Sequence, residues 1–157
     1  MAGMKIRPVR AEDVTEVIRV VTSTLAEFGL TFGEGSKTDE ELMHLPSSYA
    51  GHGGAFWVAV DANHRILGTC GVFPVGLPGD FELRKMYVLP EARGTGAGRL
   101  LLDESVTWAR VHGGTRLVLD TTERMERAIA FYERHGFVRD DAQIRGSRCS
   151  RGYTRTL

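Results

Sequence analysis

Residues 81–121 read "FELRKMYVLPEARGTGAGRLLLDESVTWARVHGGTRLVLDT", and the succession of patterns inside this stretch decides the fold. "FELRKMYVL" is a β-rich run, and "RLLLDESVTWARVHG" is an amphipathic helix stopped by Gly113 and Gly114, as helices commonly are. "TRLVLDT" is a second strand. A strand, helix, strand unit of this length crosses over right-handed and sets its two strands parallel and adjacent. The segment between the first strand and the helix, "PEARGTGAGR" at 90–99, then lies at the carboxyl end of its strand, where open α/β sheets bind ligands. Gly94, Gly96 and Gly98 admit two readings. One is a tight turn needing conformations that other residues avoid. The other is a phosphate cradle, in which loop and first-turn N–H groups lack intrahelical partners and the helix dipole adds partial positive charge. Arg93 and Arg99 flank the loop and suit charge-assisted bonds to a diphosphate. No Gly-Lys-Ser/Thr follows, and the glycines run G-x-G-x-G, so neither a Walker loop nor a dinucleotide fingerprint is present.

Upstream, "MKIRPV" reads as a first strand, and Val14, Val17, Ile18, Val21 and Leu25 recur at helical spacing over about residues 11–28. Leu42, Met43 and Leu45 mark a short helix among loops. "AFWVAV", the turn "DANH" and "RILGTCGVF" make a hairpin, extended by residues 81–89 into a three-stranded antiparallel meander. Downstream, "ERMERAIAFYERH" is a last helix closed by Gly136, and "FVRD" with "SRCSRGYTRTL" forms a closing hairpin. The order β, α, α, β, β, β, α, β, α, β, β has no repeat or low-complexity linker and specifies one mixed α/β layer domain over residues 1–157.

The 157 residues are 42% apolar, and 20 basic residues balance 20 acidic ones. Net charge therefore points to neither nucleic acid nor an anionic membrane as partner, and any anion site must be local. The longest apolar run is six residues, far short of the ~20 a membrane helix needs. "MAGMKIRPVR" lacks an apolar signal core, so the expected location is cytoplasmic. Cys70 and Cys149 read as semi-buried hydrophobes, and the 5 histidines show no metal-ligand spacing, so no metal is expected.

"RGTGAG" at 93–98, preceded by "LRKMYVLPEA" and followed by "RLLLDESVTWA", resembles the pyrophosphate loop of the GNAT superfamily of N-acetyltransferases. "AIAFYERHGF" at 128–137 resembles that family's last helix and the start of its next strand. The resemblance implies a mostly antiparallel sheet with one splayed parallel strand pair, flanked by about four helices, with acetyl-CoA as co-substrate lying in the splay. Met86 and Val88 match the positions whose backbone groups pair with the pantetheine arm, one of them also serving as oxyanion donor. Arg93, Gly94, Gly96, Ala97, Gly98 and Arg99 match the diphosphate contacts. Tyr132 matches the acid near the CoA sulfur, and Glu82 the base that frees the attacking amine, its alternative being an ordinary strand carboxylate paired with Arg84 or Lys85. Met125 stands where many members carry an Asn that contacts the CoA arm, with Thr121 or Thr122 as substitute hydroxyls or helix caps.

By the same resemblance, residues about 25–54 and 140–152 form the acceptor site, offering Phe28, Phe32, Glu34, Tyr49 and His52. The implied activity is acetyl transfer to a primary amine, small-molecule or peptide, by direct attack in a ternary complex; a homodimer is common in that family, and the sequence leaves the oligomeric state open. A non-catalytic acyl-CoA sensor is the alternative.

Overall fold

The computed structural model describes residues 3–157. β1 (Lys5–Pro8) leads through a 3-10 turn (Ala11–Asp13) into α1 (Val14–Glu27). A second 3-10 turn (Glu40–His44) and the one-turn α2 (Ser47–Ala50) precede the meander β2 (Ala55–Val60), β3 (Ile66–Pro74) and β4 (Asp80–Val88). Then come α3 (Ala97–Val111), β5 (Arg116–Thr121), α4 (Glu126–Arg134), β6 (Val138–Arg139) and β7 (Arg151–Thr156). All seven strands form one sheet in the order β1-β2-β3-β4-β5-β7-β6.

The continuous apolar run of β2 serves two cores, as expected for a strand covered on both faces. Phe56, Val58 and Val60 face a cluster with Val17, Val21 and Leu25 of α1. Trp57 and Ala59 face Leu101, Leu102 and Val106 of α3, together with Ile129 and Tyr132 of α4. The helices thus sandwich the sheet and leave β4 and β5 at its centre.

Of the adjacent strand pairs, only β4 and β5 run parallel, and their pairing is short: Asp80, Phe81 and Glu82 oppose Arg116, Leu117 and Val118. Beyond Glu82 each strand follows its other neighbour, β4 staying with β3 and β5 with β7 out to Thr121. Two features fix this divergence. At the closed end Arg116 donates two bonds to Asp80, at 2.7 and 2.9 Å. Further along, Lys85 adopts φ 54° and β4 carries a bulge in which Lys85 and Met86 together oppose Cys70, bending the strand away. A left-handed lysine is uncommon; here its carbonyl accepts from Thr69 Oγ1 at 2.7 Å and its ammonium is pinned by Asp39.

α4 begins three residues later than its sequence pattern starts. The backbone N–H of Glu123 donates to Ser150 Oγ, and Met125 sits at φ −90°, ψ 63°, outside the helical region.

Candidate active site

The splay opens into a cleft of about 1500 Å³ that runs between α1, β4, β5 and α4. That volume exceeds the few hundred to ~1,000 Å³ of an ordinary small-ligand pocket and suits two substrates meeting end to end. Its walls include Glu82, Met86, Val88, Arg93, Gly94, Gly96, Gly98, Arg99 and Tyr132. Ala97 is different: its side chain is buried in the core, so only its backbone can reach the cleft.

At the wide end Gly94 and Gly96 have φ 78° and 92°, conformations that cost a side-chain-bearing residue roughly 1–2 kcal/mol. Nothing lies within 4 Å of where a Cβ would stand at either one. Thr95 and Arg93 use their N–H groups on Ala92 and Pro90, and the first intrahelical bond comes from Leu100. The N–H groups of Gly94, Gly96, Ala97, Gly98 and Arg99 find no protein acceptor among the described residues. The loop is therefore a set of uncommitted donors at a helix N-terminus, not merely a turn, and its residues fit a diphosphate. Arg93 is already engaged, donating to Val88 C=O at 3.1 Å and to both oxygens of Glu27 at 2.9 and 2.8 Å. It braces the loop against β4 and α1. Arg99 projects into solvent, its side chain 74% exposed.

Along the wall, Leu89 donates to Leu67 of β3. Strand alternation then turns the polar backbone of Val88 away from β3 and toward the splay, while Met86 lies in the bulge that precedes it and lines the cleft. The Val88 carbonyl is the one Arg93 occupies, and its N–H remains.

At the narrow end stands Glu82, 5% exposed, the last residue of β4 paired to β5. Arg84 Nε bonds one carboxylate oxygen, and Arg145 approaches the other at 3.5 Å. Arg84 is the partner expected from the sequence, Lys85 is not, and Arg145 comes from 63 residues away. Tyr132 is 8% exposed, its ring edge-on to Phe131 and Phe137, and no protein group hydrogen-bonds its hydroxyl among the described residues. Burial, with smaller contributions from Cys70 and Tyr87, holds its pKa well above that of an ordinary phenol. It stays protonated at neutral pH.

Residues 33–39 and 145–149 meet over the Glu82 end of the cleft. Asp39, fully buried, binds Lys85 Nζ, both terminal nitrogens of Arg148 at 3.0 and 3.2 Å, and the N–H of Gly33 at 2.7 Å. Arg148 also donates to Glu34 C=O, and Ser147 to Gly35 C=O. Burial alone would raise the Asp39 carboxyl; Lys85, Arg148 and Gly33 together hold it below the usual carboxylate range. This junction escaped the sequence reading because its partners lie 46 and 109 residues apart.

Phe28 and Phe32 line the cleft. Tyr49 does not: it is fully buried between Phe56 and Phe73, while His52 stacks on Phe73 outside the cleft. Thr121 and Thr122 are cleft-lining and buried. Thr121 Oγ1 lies 3.8 Å from Met125 Sδ, and Met125 fills the α1-side core. Cys70 is buried against Ser105, its thiol pushed up to about 12 by burial.

Residues 18–137 match the sequence model of the acetyltransferase (GNAT) family. The chain belongs to that family. Curated relatives are named as N-acetyltransferases: an uncharacterized N-acetyltransferase of Escherichia coli K12, YjgM, is 36% identical over 135 residues, 84% of this chain and 80% of that protein. Among solved structures, a GNAT-family acetyltransferase of Staphylococcus aureus Mu50 superposes with TM-score 0.89 at 24% identity, over 98% of this chain and 99% of that one. A phosphinothricin acetyltransferase of Sinorhizobium meliloti, determined in complex with acetyl-CoA, gives TM-score 0.80 at 21% identity, covering 99% and 89%. The GNAT fold accounts for the mostly antiparallel sheet, its one parallel pair and its four α-helices. No helix among the described residues is long and apolar enough to cross a membrane.

Proposed function

We propose that the chain transfers an acetyl group from acetyl-CoA to a primary amine by direct attack in a ternary complex. The observation that carries the reading is the continuity of the cleft: five uncommitted N–H groups at one end, a free strand edge along the wall, and a buried phenol and carboxylate at the other. From Val88 back to Glu82 a strand covers roughly 20 Å, a span suited to an extended pantetheine arm. The Sinorhizobium relative, solved with acetyl-CoA, supports the choice of co-substrate.

Acetyl-CoA supplies an acyl group activated as a thioester. The loop N–H groups of residues 94 and 96–99 hold its diphosphate. Met86, and Val88 through its N–H, hold the arm as a partner strand would. An N–H of the same edge polarises the thioester carbonyl. The acceptor arrives as an ammonium, and an amine of pKa ~10.4 is neutral in only about one molecule in a few thousand at pH 7. Glu82 takes up that proton through water, since both its oxygens already engage arginines. As the C–N bond forms and the C–S bond breaks, charge gathers on sulfur, Tyr132 donates a hydrogen bond to it, and the second proton shed by the acylated nitrogen neutralises the departing thiolate to the free thiol. The Tyr132 phenol is a weaker acid than a thiol of pKa near 8.5, so its hydrogen bond, rather than complete proton transfer, supplies the stabilisation.

An amine-panel assay reporting free thiol tests this, with acetyl-CoA binding measured in parallel by thermal shift. Tyr132→Phe is expected to retain acetyl-CoA binding and lower kcat about 10²-fold; an unchanged kcat removes Tyr132 from the mechanism. Glu82→Gln is expected to lower the rate most below neutral pH. Binding without thiol release across the panel would favour a non-catalytic sensor instead.

A further inference from the structure

At the Glu82 end of the cleft most charged side chains are already committed. Lys85 and Arg148 are spent on Asp39. Arg84 gives Nε to Glu82 and Nη1 to Glu41 at 3.5 Å, and its guanidinium lies 4.2 Å from the centroid of the Phe73 ring. Lys37 and Glu40 are exposed. Two further lining groups are only half used. Arg145 makes all its side-chain contacts through Nη1, and all are long: 3.2 and 3.4 Å to the two oxygens of Gln143, and 3.5 Å to Glu82. Its Nε and Nη2 donate to nothing among the described residues, and the side chain is 38% exposed. That edge of a guanidinium is the fork that meets a carboxylate with two parallel bonds. Arg116 and Arg139 lay the same edge on Asp80 and Asp141.

Asp120 is the second group. Its Oδ2 accepts from the backbone N–H groups of Arg145 and Gly146, at 2.7 and 2.8 Å. Its Oδ1 accepts from no N–H or O–H among the described residues. The Cys149 thiol beside it is pushed up to about 12 by burial and then by Asp120, so it stays neutral and balances no charge. Asp120 stands two residues beyond Val118, the partner of Glu82 and the last residue of β5 paired to β4. Asp120 and Glu82 therefore project from the same face of the sheet, with Asp120 on the open side of the splay. One loop thus holds an open carboxylate oxygen and an open guanidinium edge, since Arg145 fixes Asp120 through its backbone and reaches Glu82 through its side chain. Opposite charges set close together complement a zwitterion. A polyamine would bring a second cation against Arg145, and the terminal amine of a peptide would bring a neutral amide to it.

We propose that the acceptor is a free α-amino acid, its ammonium held between Asp120 and Glu82 and its carboxylate on the Nε and Nη2 edge of Arg145. This rests on the acetyl-transfer reading given above and names the substrate class of that site. Asp120 and Arg145 bind and orient the acceptor, and Glu82 takes up the proton. The C–N bond forms and the C–S bond breaks, giving an N-acetyl amino acid, CoA thiol and one proton passed from Glu82 to solvent. The product has lost the positive charge that Asp120 held, which favours its release.

Initial rates with acetyl-CoA, read as free thiol, test this on a panel of L-amino acids, their amides, the matching decarboxylated amines, a polyamine and a short peptide. The best L-amino acid is expected to exceed its own amide and decarboxylated amine by roughly 10–100-fold in kcat/KM, as loss of a charge-assisted pair allows. Arg145→Gln should bring that ratio toward one through KM for the amino acid. The ratio is the readout because Arg145 also touches Glu82, and losing that contact acts on both rates. Arg145→Lys keeps the charge without the fork and should retain part of the ratio. Asp120→Asn still offers an oxygen to the two loop N–H groups, and should raise KM for acid and amide alike. A rise in Tm on adding acetyl-CoA shows that each variant is folded. Equal kcat/KM for acid and amide in the wild type, or a better rate with the polyamine or peptide, overturns the amino-acid assignment and leaves acetyl transfer standing. A ratio that survives Arg145→Gln overturns the role of that guanidinium, and an unchanged KM in Asp120→Asn overturns the role of that carboxylate. No thiol release from any amine of the panel, with acetyl-CoA bound, overturns the transfer reading and this one together.

Discussion

Changing Asp39 to Asn removes one charge at constant size from a fully buried site where Lys85, Arg148 and the N–H of Gly33 converge. Lys85 and Arg148 have side chains only 5% and 14% exposed, so neither can recover its hydration by turning outward. Removing one partner of such a buried cluster costs about 3–5 kcal/mol. At roughly 2–4 °C per kcal/mol for a chain of this size, that lowers Tm by roughly 6–20 °C. The pH dependence follows from the depressed carboxyl of Asp39. Its stabilisation is fully present above the unfolded carboxylate value near 4 and is lost as pH falls through the lower folded value. The gap between wild type and Asp39→Asn should therefore be full at pH 7 and narrow below about pH 4. Because the cluster also ties residues 33–39 to 145–149 over the acceptor end, KM for the amine should rise more than KM for acetyl-CoA. Thermal denaturation at pH 7 and pH 3.5 reads the first effect, and initial rates read the second. Adding Lys85→Met should restore part of the lost stability, since a buried cation that has no partner is replaced by an apolar side chain. A drop in Tm below 2 °C at pH 7, or a gap no smaller at pH 3.5 than at pH 7, would refute the reasoning.

Gly96→Ala, at φ 92° with open space around it, should cost about 1–2 kcal/mol through backbone strain alone and lower Tm by a few degrees. Acetyl-CoA affinity, read by calorimetry, should fall further than that strain accounts for, because the N–H groups of the loop turn with the backbone. Asp80→Asn weakens the bidentate contact from Arg116 that closes the base of the splay; an expected loss of about 1–2 kcal/mol should appear as a lower denaturation midpoint. Burial pushes Cys70 up to about 12 and raises Tyr132 further. Their contribution to stability is complete below the ordinary thiol and phenol values, near 8.5 and 10, and is lost as pH climbs through the raised ones. Melting scans from pH 8 to 11 should decline steeply at the alkaline end, and a flat profile would contradict the burial of these groups.

Local pattern carried most of the architecture. The strand, glycine loop, helix, strand unit of 81–121 set the parallel pair, and β2 showed its double burial as an unbroken apolar run. The glycines of the loop were legible because positive φ leaves a mark on composition. Three things left no such mark. Nothing in "LRKMYV" signals that Lys85 adopts a left-handed conformation, since the bulge answers to tertiary demands on its ammonium. Asp39 reads as one more acid in a polar loop until the fold brings Arg148 to it. Tyr49 and His52, drawn toward the acceptor region by chain position, went to the core and to the ring of Phe73 instead, because a single helical turn has too few residues to show which face is buried. For Glu82, the Arg84 partner was visible two residues away and Arg145 was not.

The divergence of β4 from β5 leaves two strand edges unpaired inside the molecule. Exposed edges at the rim of a sheet invite other chains to add on, and proteins blunt them with charge, proline or bulges. Here the edges face each other at the centre of the sheet, with α1 on one side and α4 on the other. A second polypeptide would have to enter the body of the protein to reach them. The fold thereby keeps a row of open donors and acceptors available to a thin, flexible partner while denying it to the β-aggregation that such a row would otherwise promote.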